Sequence, residues 1–359
     1  MFKNFKSVTK TAYGRGSFDK LDEILEEKRP TPDACMVFLV DDVFQSKPGV
    51  KDRIPVREND VLLWINVAKE PTTEQVDKIR DDVLRDKGLP AGIIGIGGGS
   101  VMDLAKATSL MFTNEGSSTL YQGLNLVKKP GIYHVGVPTI SGTGAEVSMT
   151  AVLTGPTKKL GLKCDWTVFD QIVLDPDLLD GVDRNQWFYT GMDCYIHCVE
   201  SMTGTQKNTF SEAYGWKALE LCKEVFLDSD NGQSKENEEK LMVASYMGGL
   251  SLTYSEVGVC HALSYGLSKI FDIHHGIANC IAFNQLKDVY GDFVDEFHTM
   301  VEKHKIDIPK NLSARWSEED IDAMAEVAIK LEHMWNHAFG ANWKEVLDKD
   351  RIKGWYRKM

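Results

Sequence analysis

The sequence predicts a two-part fold: an α/β domain built on a parallel sheet over residues 1–180, then an all-helical domain over residues 181–359. Three observations predict it. In the first half, apolar runs alternate with helical patterns, as they do where crossover helices join parallel strands. From about residue 185, β-branched runs become scarce and helical periodicity takes over. Between the halves, Asp175-Pro176-Asp177 and Gly181 carry the turn chemistry of a boundary.

The elements follow in order. Residues 34–40 (Ala-Cys-Met-Val-Phe-Leu-Val) form an apolar run ending at Asp41-Asp42, and residues 60–67 form a second strand candidate. Residues 72–87 read as a helix, with Pro71 before and Gly88 after. Residues 92–96 are a third strand, 100–111 a helix, 133–137 a fourth strand and 172–174 a short apolar run. In the second half, helices are expected over residues 210–226, 236–254, 262–270 and 318–339. The polar stretch 228–239 reads as a surface loop running into a helix start. No repeat or low-complexity tract interrupts the chain.

Composition narrows the function. At 359 residues and 43% hydrophobic, the chain can bury two sizeable cores. A formal charge of −12 argues against nucleic acid and anionic membranes as partners. No apolar run reaches the roughly 18 residues of a membrane-crossing helix. The first six residues, Met-Phe-Lys-Asn-Phe-Lys, lack the apolar segment of a secretory signal. The seven cysteines are odd in number and not spaced as a disulfide framework, so a cytoplasmic protein is expected.

Two loops suit a nucleotide. Gly95-Ile96-Gly97-Gly98-Gly99-Ser100 follows a strand and opens a helix. There the backbone can approach a pyrophosphate closely, and the helix N-terminus adds amide donors. The same run also suits a plain tight turn. Pro138-Thr139-Ile140-Ser141-Gly142-Thr143-Gly144-Ala145-Glu146 follows another strand and supplies hydroxyls and two glycines. Asp41, ending the first strand, is placed to accept from ribose hydroxyls and to repel a 2′-phosphate, which favours NAD over NADP; a solvated strand end is the plain alternative.

A metal site is written into two other segments. Asp193 and His197 are four apart, on one helical face. His261 and His275 can close the set, giving one carboxylate and three imidazoles around a divalent transition metal such as Fe2+ or Zn2+. His333 and His337 are also four apart, but nothing nearby completes a set. Cys194 and Cys198 lie about 100° round the helix from Asp193 and His197, which suits packing better than ligation.

Together these residues resemble a known family. Gly97-Gly98-Gly99-Ser100-Val101-Met102-Asp103-Leu104-Ala105-Lys106 resembles its GGGSxxDxAK segment, and residues 138–146 resemble its PTTxGTGSE loop. Residues 191–200 resemble GxDAxxHxxE, and His261 with His274-His275-Gly276-Ile277-Ala278-Asn279 resembles its HxxxH and PHGxAN segments. The chain is identified on these motifs as a member of the iron-containing (group III) alcohol dehydrogenases, related in fold to glycerol dehydrogenase and dehydroquinate synthase.

The resemblance implies roles. Asp193, His197, His261 and His275 would hold the metal. Gly97, Gly98, Gly99 and Ser100 would hold the pyrophosphate of NAD(H), with Asp103, Thr139, Ser141 and Thr143 in the cofactor segments and Asp41 at the adenosine ribose. Lys159 stands sixteen before Asp175, where the family often has a lysine near the nicotinamide. Tyr265 replaces a family histidine associated with proton relay, and His274 replaces a proline; these two are the candidate catalytic residues. A tyrosine, with a reference pKa of about 10, is a poor base at neutral pH.

Both departures are compatible with the branch of bacterial 3-deoxy-manno-octulosonate 8-oxidases. The expected activity is therefore oxidation of a primary alcohol to an aldehyde, on a sugar acid of lipopolysaccharide synthesis, with NAD or dioxygen as acceptor. The alternatives are an NAD-dependent dehydrogenase of a simple alcohol or polyol, and a dehydroquinate synthase-like lyase. The partners expected are a small-molecule sugar acid or alcohol and a second copy in a homodimer, with neither nucleic acid nor membrane.

Overall fold

The computed structural model describes residues 5–359; Met1–Asn4, part of the N-terminal stretch read above, lie outside the described residues. The chain divides into two compact units. The first holds the chain through Ile140 and again Ala145–Gly181; the second holds Ser141–Gly144 and Val182–Met359.

The first unit is built on six parallel strands: β1 (Lys10–Tyr13), β2 (Met36–Asp41), β3 (Val61–Ile65), β4 (Gly92–Gly97), β6 (Tyr133–Pro138) and β9 (Gln171–Leu174), in the order β1-β9-β6-β4-β2-β3. Strands β2 and β4 are central and almost wholly buried, which is why their sequences are continuous apolar runs rather than alternating ones. Helix α1 (Thr73–Lys87) starts where Thr72 accepts the amide of Gln75 at 3.1 Å and stops at Gly88, whose φ is 75°. Helix α2 (Gly99–Met111) lies hard against β4: a Cβ on Gly95 would come within 2.8 Å of the Ala105 methyl. One buried ion pair pins the sheet's entry. Asp60 accepts both Nη atoms of Arg29 (2.8 and 2.7 Å) and the amides of Met36 and Arg57 (2.8 and 2.9 Å).

A second sheet, absent from the sequence reading, has the order β5 (Gly123–Leu124), β8 (Lys159–Lys163), β7 (Thr150–Thr154). Its strands are short and carry Gly, Lys and Thr. Their signal is a weak alternation of burial, seen in β7, rather than an apolar run.

The second unit is helical: α3 (Arg184–Thr203), α4 (Thr209–Lys223), α5 (Lys235–Tyr254), α6 (Val259–Phe271), α7 (His275–Phe283), α8 (Asp292–Lys303), α9 (Glu318–Ile329), α10 (Glu332–Phe339) and α11 (Lys349–Tyr356), with short helical turns between. Helix α3 is buried continuously from Trp187 to Met202, so it is the unit's central rod. The single helix expected over residues 318–339 is two. Leu331 leaves helical angles (φ −84°, ψ 54°), and the Ala328 carbonyl at the helix end accepts both the Leu331 amide at 3.1 Å and the Trp335 indole N–H at 2.8 Å. Among the described residues, no helix is long and apolar enough to cross a membrane.

Candidate metal centre

Four side chains converge in the second unit. Asp193 and His197 lie one turn apart on α3, His261 is in the first turn of α6, and His275 opens α7. Each offers one ligand atom, and the four atoms lie within 4.8 Å of one another. From Asp193 Oδ1 the Nε2 atoms of His261, His197 and His275 are 3.4, 3.5 and 3.6 Å away. A tetrahedral ion with bonds of about 2.1 Å has ligand-to-ligand edges of about 3.4 Å. The three separations from Asp193 Oδ1 are those of ligands sharing one divalent ion. Asp193 Oδ2 and His197 Nδ1 are buried with no hydrogen-bond partner among the described residues. An ion at the cluster would meet the carboxylate oxygen, while His197 Nδ1 lies on the side of the ring away from the Nε2 that joins the set.

The electrostatics agree. Burial pushes the Asp193 carboxyl up, but the imidazoles of His197, His275 and His261 outweigh it and hold it below the usual carboxylate range. Burial, together with the neighbouring imidazoles, pushes His197 down to about 4, leaving it neutral with a lone pair to give. His261 moves the other way: burial lowers it, and the carboxylates of Glu200 and Asp193 raise it to about 9. Its Nε2 proton is the one a metal ion would displace. The His275 side chain is 27% exposed while the Asp193 and His261 side chains are 1% and 3% exposed, so the site is open on the His275 side.

Around the four sits a layer of partners. Glu200, seven after Asp193, accepts from His261 Nδ1, from Cys260 N at 2.7 Å and from the Tyr290 hydroxyl at 2.6 Å. Asn279 donates to Asp193 Oδ1 at 2.6 Å and lies 3.2 Å from Nε2 of both His261 and His275. Neither Glu200 nor Asn279 carries a role that the sequence motifs assign. The i, i+4, i+7 stripe of Asp193, His197 and Glu200 was the available signal for the glutamate. Tyr290 has no local signal at all.

The two candidate catalytic residues part company. Tyr265 is buried beside the centre, its ring 6.0 Å from that of His275. His274 is exposed at the N-cap of α7, and its side chain makes no hydrogen bond to the four. His337 is fully buried but satisfied, with Nε2 on the Glu200 carbonyl at 2.8 Å and Nδ1 accepting from Gln206 N at 3.3 Å; His333 is exposed. No sulfur joins the metal group. Cys194 bonds the Ala244 carbonyl and Cys260 that of Asn279, and all seven thiols are free of disulfides.

The expected cofactor residues lie mostly in the first unit. Gly98 caps α2 without a side-chain hydrogen bond, which leaves the first amides of that helix for an anion. A Cβ on Gly97 would meet Val101 and come within 3.2 Å of the Asp41 Cβ, so Asp41 and the glycine run are neighbours. Asp41 accepts the Val43 amide at 3.0 Å, and Thr139 donates its amide to the Gly97 carbonyl at 3.0 Å. Ser100 follows the cap in the first turn.

Other expected cofactor residues sit differently. Asp103 accepts the Val152 amide at 3.0 Å, and Lys159 is buried in an ion pair with Glu70 at 3.2 Å; both act as interior contacts of the first unit. Ser141 and Thr143 belong to the four-residue segment that packs in the second unit. There Gly142 (φ +149°) has no room for a Cβ, which would lie 1.7 Å from the Thr190 carbonyl oxygen. A Cβ on Gly144 (φ +62°) would lie 2.4 Å from the Gly249 Cα.

Comparison with known proteins agrees with this geometry. Residues 8–176 match the family described as iron-containing alcohol dehydrogenase, and residues 187–338 match the Fe-containing alcohol dehydrogenase family, C-terminal. The chain is 28% identical over 285 residues to the NAD-dependent methanol dehydrogenase of Bacillus methanolicus, covering 77% of this chain and 73% of that one. It is 30% identical over 282 residues to the sulfoacetaldehyde reductase of Bilophila wadsworthia (strain 3_1_6), covering 76% and 70%. Its fold matches the crystal structure of an archaeal halo-thermophilic Red Sea brine pool alcohol dehydrogenase with a TM-score of 0.85 at 21% identity, over 99% of this chain and 98% of that one. Matched along nearly its whole length, and carrying the convergent carboxylate and three imidazoles, the chain belongs to the iron-containing alcohol dehydrogenase family.

Proposed function

We propose that this protein is a divalent-metal-dependent, NAD(H)-linked oxidoreductase that converts a primary alcohol to an aldehyde. The observation that carries the reading is the convergence of Asp193, His197, His261 and His275, with Asp193 Oδ2 buried and unmet. Those four residues would hold Fe2+ or Zn2+, and one carboxylate with three histidines suits either. Bound there, the ion supplies Lewis acidity that lowers the pKa of a substrate hydroxyl, and NAD supplies the hydride acceptor.

The chain's own residues do the rest. Asp193 and the three imidazoles fix the donor set. Gly97, Gly98, Gly99 and Ser100 offer backbone amides to a pyrophosphate. Asp41 offers a carboxylate to ribose hydroxyls, and Thr139 ties its loop to Gly97. The Tyr265 ring walls the site against His275. The exposed His274 is the candidate for exchanging a proton with solvent.

The substrate divides the proposal. A sugar acid such as 3-deoxy-manno-octulosonate is compatible with the two departures, Tyr265 and His274. A simple alcohol or polyol is supported by the names of the relatives, which include a methanol dehydrogenase. We take the enzyme to be a cytoplasmic homodimer; its seven free thiols suit a reducing compartment. Metal-loaded protein assayed against sugar acids and simple alcohols, with NADH and oxygen followed together, decides the substrate and the acceptor. NADH production is expected, and it would exclude a lyase. His261→Ala should lose metal-dependent turnover while staying folded, and full activity in that variant ends the proposal.

A further inference from the structure

We infer that Glu200, held by Tyr290, is the positioning residue that makes His261 an Nε2 ligand. The inference rests on the metal reading above. Glu200 is 1% exposed, and its two carboxylate oxygens divide their work. Oε2 takes the Nδ1 proton of His261. Oε1 takes the Cys260 amide at 2.7 Å and the Tyr290 hydroxyl at 2.6 Å. That hydroxyl in turn accepts the Val259 amide at 3.0 Å.

Helix α6 has no side-chain cap of its own, since Gly258 occupies the N-cap. The Glu200–Tyr290 pair therefore satisfies the first amides of α6 and, one residue later, sets the tautomer of the histidine that α6 carries. An imidazole that donates from Nδ1 presents its Nε2 lone pair to the ligand cluster.

The chemistry of the carboxylate makes the assignment testable. Three donors converge on Glu200, and the Cys260 amide cannot reverse its direction. In Glu200→Gln the single amide oxygen must stay with Cys260 and Tyr290, so the NH2 group faces His261 Nδ1. The imidazole then has to accept there and carry its proton on Nε2, where it cannot ligate. Tyr290→Phe removes one hydroxyl and leaves the ring stacked on that of Phe283, centroids 5.4 Å apart.

The experiment titrates Co2+ into the metal-stripped full chain against a competing chelator, reading both affinity and the visible absorption of the bound ion. Thermal unfolding of the metal-free protein serves as the control. Glu200→Gln should weaken Co2+ by about 10- to 100-fold, and Tyr290→Phe by about ten-fold. The absorption should change in both variants, because the His261 ligand is displaced or tilted. A merely structural role would lower the unfolding temperature and leave affinity and spectrum as in the wild type, and that result overturns the inference. If Glu200→Gln does not fold, Tyr290→Phe decides alone. Failure of the wild-type chain to bind Co2+ would instead overturn the metal reading on which this rests.

Discussion

Helices α3 and α10 each turn a side chain of an i, i+4 pair into the second unit, and the pairs do opposite things. On α3, Asp193 and His197 meet two further imidazoles and leave a carboxylate oxygen and a ring nitrogen without partners. On α10, His337 is just as buried, but both its nitrogens are engaged by the Glu200 carbonyl and the Gln206 amide. Spacing is the same in both and decides nothing. What separates the pairs is that His337 stands alone with both nitrogens engaged, whereas the α3 pair joins four donor groups and leaves Asp193 Oδ2 buried and unmet, a free-energy cost that an ion at the cluster would recover.

The largest expected effect is on the α3 pair. Asp193→Asn keeps the shape and removes the charge that offsets a divalent ion. Metal affinity should fall by more than the about 100-fold that losing an outer partner can cost, and metal content after gel filtration measures it. Retention of stoichiometric metal would break the comparison at its root. His337→Ala is the mirror experiment. It opens a void and strips the Glu200 carbonyl and Gln206 amide of a partner, at a cost of about 3 kcal/mol in stability. Calorimetry should find a lower unfolding temperature, with the metal content of the folded protein unchanged.

The same distinction explains what could be read from the sequence. The parallel sheet was legible because β2 and β4 are buried on both faces and so are apolar without interruption. The convergent set was legible because Asp193, His197, His261 and His275 are rare types at meaningful spacing. The small β5-β8-β7 sheet was not, since strands such as Lys-Leu-Gly-Leu-Lys carry little contrast. Tyr290 was not, because nothing in its neighbourhood points to Glu200, ninety residues earlier.

The two glycine loops were legible as close approaches, but not as approaches to what. Gly98 has an ordinary φ of −82° and faces only the tip of Ile140, whereas Gly142 and Gly144 are consumed by packing against Thr190 and Gly249. Gly142→Ala should therefore cost about 2 kcal/mol or more through backbone strain and the collision with Thr190. Gly98→Ala should leave the unfolding temperature within a few degrees and weaken NAD binding. Equal thermal shifts in the two variants would show that the loops are alike after all.

The smallest effect comes from a satisfied pair in the first unit. Asp60 is buried, which by itself would raise its carboxyl, but Arg29 and the amides of Arg57 and Met36 hold it below the usual range. A carboxyl whose folded value is depressed stabilises the fold above its unfolded value, about 3.9. That stability is lost as pH falls through the folded value. Each unit of depression is worth about 1.4 kcal/mol. Stability should thus be level from neutral pH down to about 4 and decline below it. Asp60→Asn should be less stable than the wild type at neutral pH, with the gap narrowing under acid. Unlike the α3 cluster, this pair should respond to acid identically with or without added metal, because its partners are already in place. A gap that stays constant from pH 7 to pH 2 would mean that Arg29 and the two amides do not depress Asp60, and that its contribution is packing alone.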